Sequence, residues 1–347
     1  MADIANIDRN QDDPAEQISA VLQLAGISQV GKIERILSGG MNQVYIVDDE
    51  LVIRINDGRD GRTFERESKI LKTIKGRVKV PEIVFSDFSQ TQMPFDIMVL
   101  KRIPGQPLVS EWSTLNDSQR RVYIMRICDE LRKLHGLPLG DIRELGEETP
   151  WATRVEQYIE ECLESASQDE QIDHQIVLFL KEYFSVNKRE LQNPCQQVLT
   201  HNDIHFGNIL VSNGELQALL DFEYSGICPI DFELAKIINF CFTPGQYVEK
   251  KLERHYDKPM PDVLKWFMEF YPELFQQRSL AVRQRLFLIP EILWGFKVAY
   301  IPKVSSDRDR SDAISPEELI QKLQMAYDRF HYVFGEQFPH IKNEASP

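Results

Sequence analysis

Apolar residues in the first hundred positions fall mainly in short β-branched runs, whereas later they recur mostly at helical spacing. Ile33 to Leu37, Val44 to Val47 and Leu51 to Ile55 read as strands, the last two forming a hairpin over the acidic turn Asp48-Asp49-Glu50. Pro81 to Ser86 and Asp96 to Leu100 add two more, and Thr63 to Lys75 reads as a helix inserted among them. Upstream, Ile18, Val21 and Leu22 share one face of a helix over 14–24 that stops at Gly26. After Ile103-Pro104-Gly105 the pattern becomes helical, at about 117–135, 152–166, 171–186, 229–241, 261–271, 279–300 and 316–333. The stretch 198–224 interrupts it, with strand-like Val198-Leu199, Ile209 to Val211 and Leu216 to Phe222, and with Asn213-Gly214 as a hairpin turn. The pattern predicts an α+β protein: a disordered tail over 1–14, a small β-rich lobe over 15–103, and a larger, mainly helical lobe over 104–347.

Composition narrows the partners. The chain has 347 residues, enough for two lobes with a substantial core. A formal net charge of −14 argues against nucleic acid, whose phosphates need a basic face. No apolar run is long enough to span a membrane, and the polar, acidic start (Met1 to Pro14) is neither a signal nor a transit peptide. The five cysteines are odd in number and lack C-x-x-C spacing, which fits reduced thiols in a cytoplasmic protein. Nothing in the sequence points to an oligomeric state.

The candidate chemistry centres on His201-Asn202-Asp203-Ile204-His205-Phe206-Gly207-Asn208, followed thirteen residues later by Asp221 at the end of an apolar run. The spacing His-x-Asp-x-x-x-x-Asn, then Asp, suits phosphoryl transfer: Asp203 orients an acceptor hydroxyl and takes its proton. Asn208 and Asp221 would offer one neutral and one charged oxygen to Mg²⁺. Two other readings exist. His201, Asp203 and His205 alternate and could ligate the metal of a hydrolase, or the chain could bind nucleotide without catalysis. Gly39 and Gly40, between two strands, could bring backbone N–H groups to nucleotide phosphates, with Ser38 and Asn42 adding side-chain contacts; a plain hairpin turn is the alternative. Arg54 alternates with Ile53 and Ile55 and could bind phosphate, with Glu67 the better partner on the inserted helix. Between the lobes, the extended backbone of Val99 to Ile103, above all Leu100, Lys101 and Arg102, could pair with an adenine edge. Asp231, at the start of a helix, reads as an N-cap that could also bond the 201–208 backbone.

Taken together these residues resemble the aminoglycoside phosphotransferase and choline kinase family, over about residues 30 to 300. The matching pieces are Leu37 to Asn42, Val52 to Ile55, Phe64 to Glu67, Pro81 to Ile83, Pro104-Gly105, Leu131-x-x-Leu134-His135, the 201–210 loop and Leu220 to Glu223. The resemblance implies a bilobal protein-kinase-like fold, ATP or GTP with Mg²⁺, Asp203 as catalytic base, and Asn208 and Asp221 as metal ligands. Arg54 departs from the commoner lysine. Glu223 stands where protein kinases have glycine, no Ala-Pro-Glu element follows, and the chain runs almost directly from Asp221 into a helix. The implied activity is therefore ATP-dependent phosphorylation of a small hydroxyl compound, such as an aminoglycoside, macrolide, choline, homoserine or sugar. Its walls would come from Asp231 onward, 241–260 and 290–300, where Glu223, Glu233, Glu291 and Trp294 could meet a cationic or sugar-like acceptor.

Overall fold

A computed structural model describes residues 14–27, 31–36, 42–56, 63–142, 149–193, 195–248, 250–299 and 316–334. The glycine turn of Ser38, Gly39 and Gly40 lies outside these residues. The β-rich part is an antiparallel sheet in the order β1-β2-β3-β5-β4. Its strands are β1 (Ile33–Ile36), β2 (Gln43–Val47), β3 (Leu51–Asn56), β4 (Ile83–Asp87) and β5 (Asp96–Lys101). The β2–β3 turn places Asp48 and Asp49 at φ of 52° and 57°, the positive values that let a tight hairpin follow the strand twist.

Side-chain alternation sorts the two sheet faces. Tyr45, Val47, Ile53, Ile55, Ile97 and Val99 pack under Ile18, Val21 and Leu22 of helix α1 (Pro14–Leu24). On the other face Met98 and Leu100 meet Phe64, Ile70, Leu71 and Ile74 of helix α2 (Thr63–Ile74). Arg54 falls on that second face because Ile53 and Ile55 take the first. The same core continues into the helical part through Leu131, Ile204, Phe206, Leu219 and Phe222, so α2 is seated on the loops of both lobes.

The connection is short. Gly105 adopts φ of 144°, and a Cβ there would lie 2.6 Å from the Val211 carbonyl oxygen, so only glycine lets the linker run this close. Next, β6 (Gln106–Pro107) joins the hairpin of β8 (Ile209–Ser212) and β9 (Glu215–Leu219), whose turn is Asn213-Gly214 with both φ positive. The helices are α3 (Asp117–His135), α4 (Trp151–Ser167), α5 (His174–Asn187), α6 (Ile230–Phe242), α7 (Pro261–Phe270), α8 (Leu280–Ala299) and α9 (Pro316–Phe334). The segment after Asp221 corrects an expectation. It forms β10 (Gly226–Pro229), paired antiparallel with β7 (Gln197–Thr200), before α6 begins. A strand carrying glycine and proline gives little sequence signal. A second core joins α4, α5 and α8 around Ile159, Leu180, Phe287, Ile292 and Phe296. No described helix is long and apolar enough to cross a membrane.

Candidate active site

The β7–α6 region holds the loop bearing Asp203 from behind. His201 is fully buried; its Nε2–H donates to the Leu220 carbonyl at 2.9 Å, and its Nδ1 accepts the Asp203 N–H at 3.3 Å. Both ring nitrogens are thus spent inside the loop, and burial holds the imidazole below its ordinary pKa, in the neutral form this pattern needs. Asn202 is forced to φ of 66°, and its N–H and that of His201 both donate to the Glu233 carboxylate, at 3.1 and 2.6 Å. Glu233 is fully buried, and its other contact is His135 Nε2 at 3.4 Å. Burial pushes this carboxyl up, but the bond and charge of His135, with His201, outweigh it and hold the group below its ordinary value.

Two expectations change here. Glu233 does not face an acceptor; it is the clamp of the loop backbone. Asp231 is neither the N-cap, which is Pro229, nor a partner of the loop. It is fully buried in a bidentate pair with Arg283 of α8, at 2.6 and 3.0 Å. Both acids lie on one helix two residues apart, and only the packing of α8 separates their roles.

In front of this scaffold the candidate residues converge. Asn208 Nδ2 donates to Asp203 Oδ2 at 2.9 Å and to the Asp203 carbonyl at 3.0 Å, which leaves the Asn208 carbonyl oxygen as its remaining polar end. His205 Nδ1 accepts the Gly207 N–H at 3.1 Å, so Nε2 carries the proton and lies 3.5 Å from Asp203 Oδ2. Burial works against the Asp203 anion, yet His205, His201 and Asn208 hold its carboxyl below the usual range. Among the described residues no group of three His, Cys, Asp or Glu could hold a metal ion, and His201 is sealed in. The arrangement therefore does not carry the hydrolase reading of His201, Asp203 and His205.

Arg54 reaches across the cleft. Its Nη1 bonds Glu67 at 2.6 Å and its Nη2 bonds Asp221 at 3.0 Å, while Glu67 also accepts the Phe222 N–H at 3.3 Å. Asp221 itself sits at φ of 66° with a third of its side chain exposed. Burial opposes the Arg54 cation, but Glu67 and Asp221 more than offset it. Beside them Glu223 is pushed up to about 7, first by burial and then by the charges of Asp221, Glu67 and Asp203. Asn42 accepts the Asn56 side-chain N–H at 2.7 Å near the end of the sheet. At the connection, Leu100 is buried in β5, the Lys101 N–H goes to Glu82 O at 2.8 Å, and the Arg102 N–H goes to Glu50 O at 2.7 Å. Those two N–H groups are thus already taken by the sheet. Within the connecting run the next backbone N–H is that of Ile103, since Pro104 has none.

To one side, a cavity of about 400 Å³ lies between α4 and α8, lined by Tyr158, Glu161, Cys162, Glu291, Trp294 and Lys297 among others. Tyr158 and Trp294 are each more than half exposed there. Glu291 pairs with Lys236 of α6 at 2.5 Å.

Residues 32–267 match the model of the phosphotransferase enzyme family. A methylthioribose kinase from Erwinia tasmaniensis is 25% identical over 131 residues, which are 36% of this chain and only 31% of that protein's length. A GDP complex of an aminoglycoside 2′-phosphotransferase superposes with a TM-score of 0.65 at 15% identity, over 94% of this chain and all of that one. An aminoglycoside phosphotransferase bound to ADP and hygromycin B gives 0.61 at 12% identity, over 92% and 98% of the two chains. At such identities the structures speak to the fold alone, and it is the two-lobed, protein-kinase-like one. With more than half of its length matched by the family model, and with the Asp203 loop and Asp221 at the join of the two lobes, the chain belongs to the phosphotransferase enzyme family.

Proposed function

We propose that the protein is a small-molecule kinase that moves the terminal phosphoryl group of ATP or GTP to a hydroxyl of a small compound. The observation that carries this reading is the convergence of Asp203 and Asn208 on one loop, Asp221 after the β8–β9 hairpin and Arg54 of β3, three separate segments, onto one cleft. Asp203 is kept ionised and fixed by Asn208 and His205, so it can orient an acceptor hydroxyl and accept its proton as the new P–O bond forms. Arg54, braced by Glu67, is the cation that would meet nucleotide phosphate, and the connecting backbone at Ile103 would offer an N–H to the base. The glycine turn with Ser38, Gly39 and Gly40, and nearby Asn42, would cover the phosphates.

Asn208 and Asp221 would hold Mg²⁺. The fit is chemical: burial first, and then the charges of Asp221, Glu67 and Asp203, push Glu223 up to about 7, and a divalent cation would relieve the crowding of these acids. One carboxylate and one amide oxygen is the sparse protein set Mg²⁺ takes alongside phosphate and water. When bound, the ion would neutralise charge on the phosphates. The acceptor would lie on the Asp203 side, toward Glu291, Trp294 and the α4–α8 cavity. Half-exposed aromatic rings beside acids suit an apolar or sugar ring carrying a cation, consistent with the gentamicin and hygromycin B named in the relatives' complexes.

A coupled assay of ADP or GDP release, run across aminoglycosides, macrolides, methylthioribose, choline, homoserine and sugars, tests the reading. Acceptor-dependent release that requires Mg²⁺ is expected. Binding of nucleotide with no release for any acceptor would favour the non-catalytic alternative.

A further inference from the structure

Helix α9 lies outside the part of the chain matched by the family model, yet one of its side chains enters the rear of the site. Arg329 is 2% exposed. Its Nη2 donates to Asn239 Oδ1 on α6 and faces Glu291 Oε2 of α8 at 3.7 Å, while its Nε and Nη1 have no hydrogen-bond partner. A buried guanidinium that is only partly satisfied is costly, since burial alone lowers its pKa. Such a group at the meeting point of three helices calls for a reason beyond packing.

Its contacts supply one. Asn239 turns its oxygen to Arg329 and its Nδ2 to Tyr247 Oη at 2.6 Å and to Glu291 Oε2 at 3.3 Å. An amide can be read either way round; here the Arg329 guanidinium, a donor only, takes the oxygen end, and the Glu291 carboxylate, an acceptor only, takes the Nδ2 end. The tyrosine so fixed packs at a tilt of 42° against His205 with ring centroids 4.9 Å apart, and His205 lies against Asp203. Glu291 at the other branch lines the α4–α8 cavity. We infer that Arg329 is a positioning residue: by holding both the Asn239 oxygen and Glu291 it places Tyr247 behind His205 and Glu291 at the edge of the acceptor space, so that α9 completes the acceptor side of the site. The functional consequence rests on the kinase reading; the structural link from Arg329 to His205 does not.

The test uses full-length protein, with Arg329→Met, Arg329→Lys and the control Arg285→Ala. Arg285 ties α8 to α9 through the Val333 carbonyl at 3.1 Å, outside the Asn239 network. Ring-nitrogen signals of His205 are followed by ¹⁵N NMR without any acceptor, assigned with a His205→Gln sample. Arg329→Met should shift them, Arg329→Lys should restore them in part, and Arg285→Ala should leave them in place. With an acceptor from the release assay, Arg329→Met should lower kcat roughly tenfold to a hundredfold and raise the acceptor KM. The nucleotide KM should stay within twofold of wild type. Unmoved His205 signals in a folded Arg329→Met protein would overturn the proposal, as would an equal shift in Arg285→Ala. If no acceptor is turned over by wild type, the kinase reading fails while the NMR result still decides the network.

Discussion

Replacing Glu233 by Gln keeps the shape of the side chain and removes its charge, which isolates what the buried carboxylate does for the loop. Both of its oxygens face donors: one takes the His201 N–H at 2.6 Å and lies 3.4 Å from His135, and the other takes the Asn202 N–H at 3.1 Å. A glutamine has one acceptor oxygen and one NH₂ group, so one backbone N–H must meet a donor. Losing a charge-assisted hydrogen bond costs about 1.5–3 kcal/mol, and the surviving one weakens to the neutral value, for a total of about 3 kcal/mol. At about 2.1 cal/mol/K of unfolding entropy per residue, that loss lowers Tm by roughly 4 °C in a chain of 347 residues. Asn202, held at φ of 66° in part by this bond, would relax and take Asp203 with it, so kcat should fall by at least tenfold. The pH dependence has a definite sign. Because the folded pKa is depressed, the carboxylate's contribution is present above its unfolded value of 4.5 and is lost as pH falls through the lower folded value. Scanning calorimetry should therefore show the wild-type-to-variant gap in Tm full at pH 7 and shrinking below about 4.5. A variant with wild-type Tm and turnover, or a gap that widens on acidification, would refute this account of the loop.

Other sites give equally direct expectations. Arg283→Met leaves Asp231 fully buried without its bidentate partner, so the denaturant midpoint should fall by an amount equal to about 3–5 kcal/mol; the added change Asp231→Leu should recover most of it. A double-mutant cycle between Arg54→Met and Glu67→Gln, read in nucleotide KM, should show a coupling of about 1–3 kcal/mol, because Glu67 braces Arg54 through its shortest hydrogen bond; additive effects would separate the two residues.

Much of this architecture could be read before any coordinates. The helices fall within a few residues of the spans set by apolar periodicity, and Asn213-Gly214 announces its hairpin because few other residues accept two positive φ angles. The spacing from Asp203 to Asn208 to Asp221 survives as a contiguous cleft because a tight hairpin joins its ends. What escaped depends on packing between distant segments. Asp231 and Glu233 are indistinguishable in a helical pattern, and the choice between clamp and ion pair is made by Arg283, about fifty residues later. β10 has too few residues and too much glycine and proline to register as a strand. Leu100, Lys101 and Arg102 were read for a role that needs free backbone groups, and sheet pairing takes the N–H groups of Lys101 and Arg102. Arg329 carries no motif at all, and its place in the site appears only when α9 is laid against α6 and α8.

Phosphoryl transfer by Asp203→Asn, set beside wild type, tests the central claim most directly. Asparagine matches aspartate in size and can still meet the groups around it, but it cannot take the hydroxyl proton or carry charge. With γ-labelled nucleotide, Mg²⁺ and an acceptor from the screen, label should pass to the acceptor in wild type. In the variant its rate should fall by about a hundredfold or more, with nucleotide binding retained. Label transfer at the wild-type rate in Asp203→Asn would contradict the account.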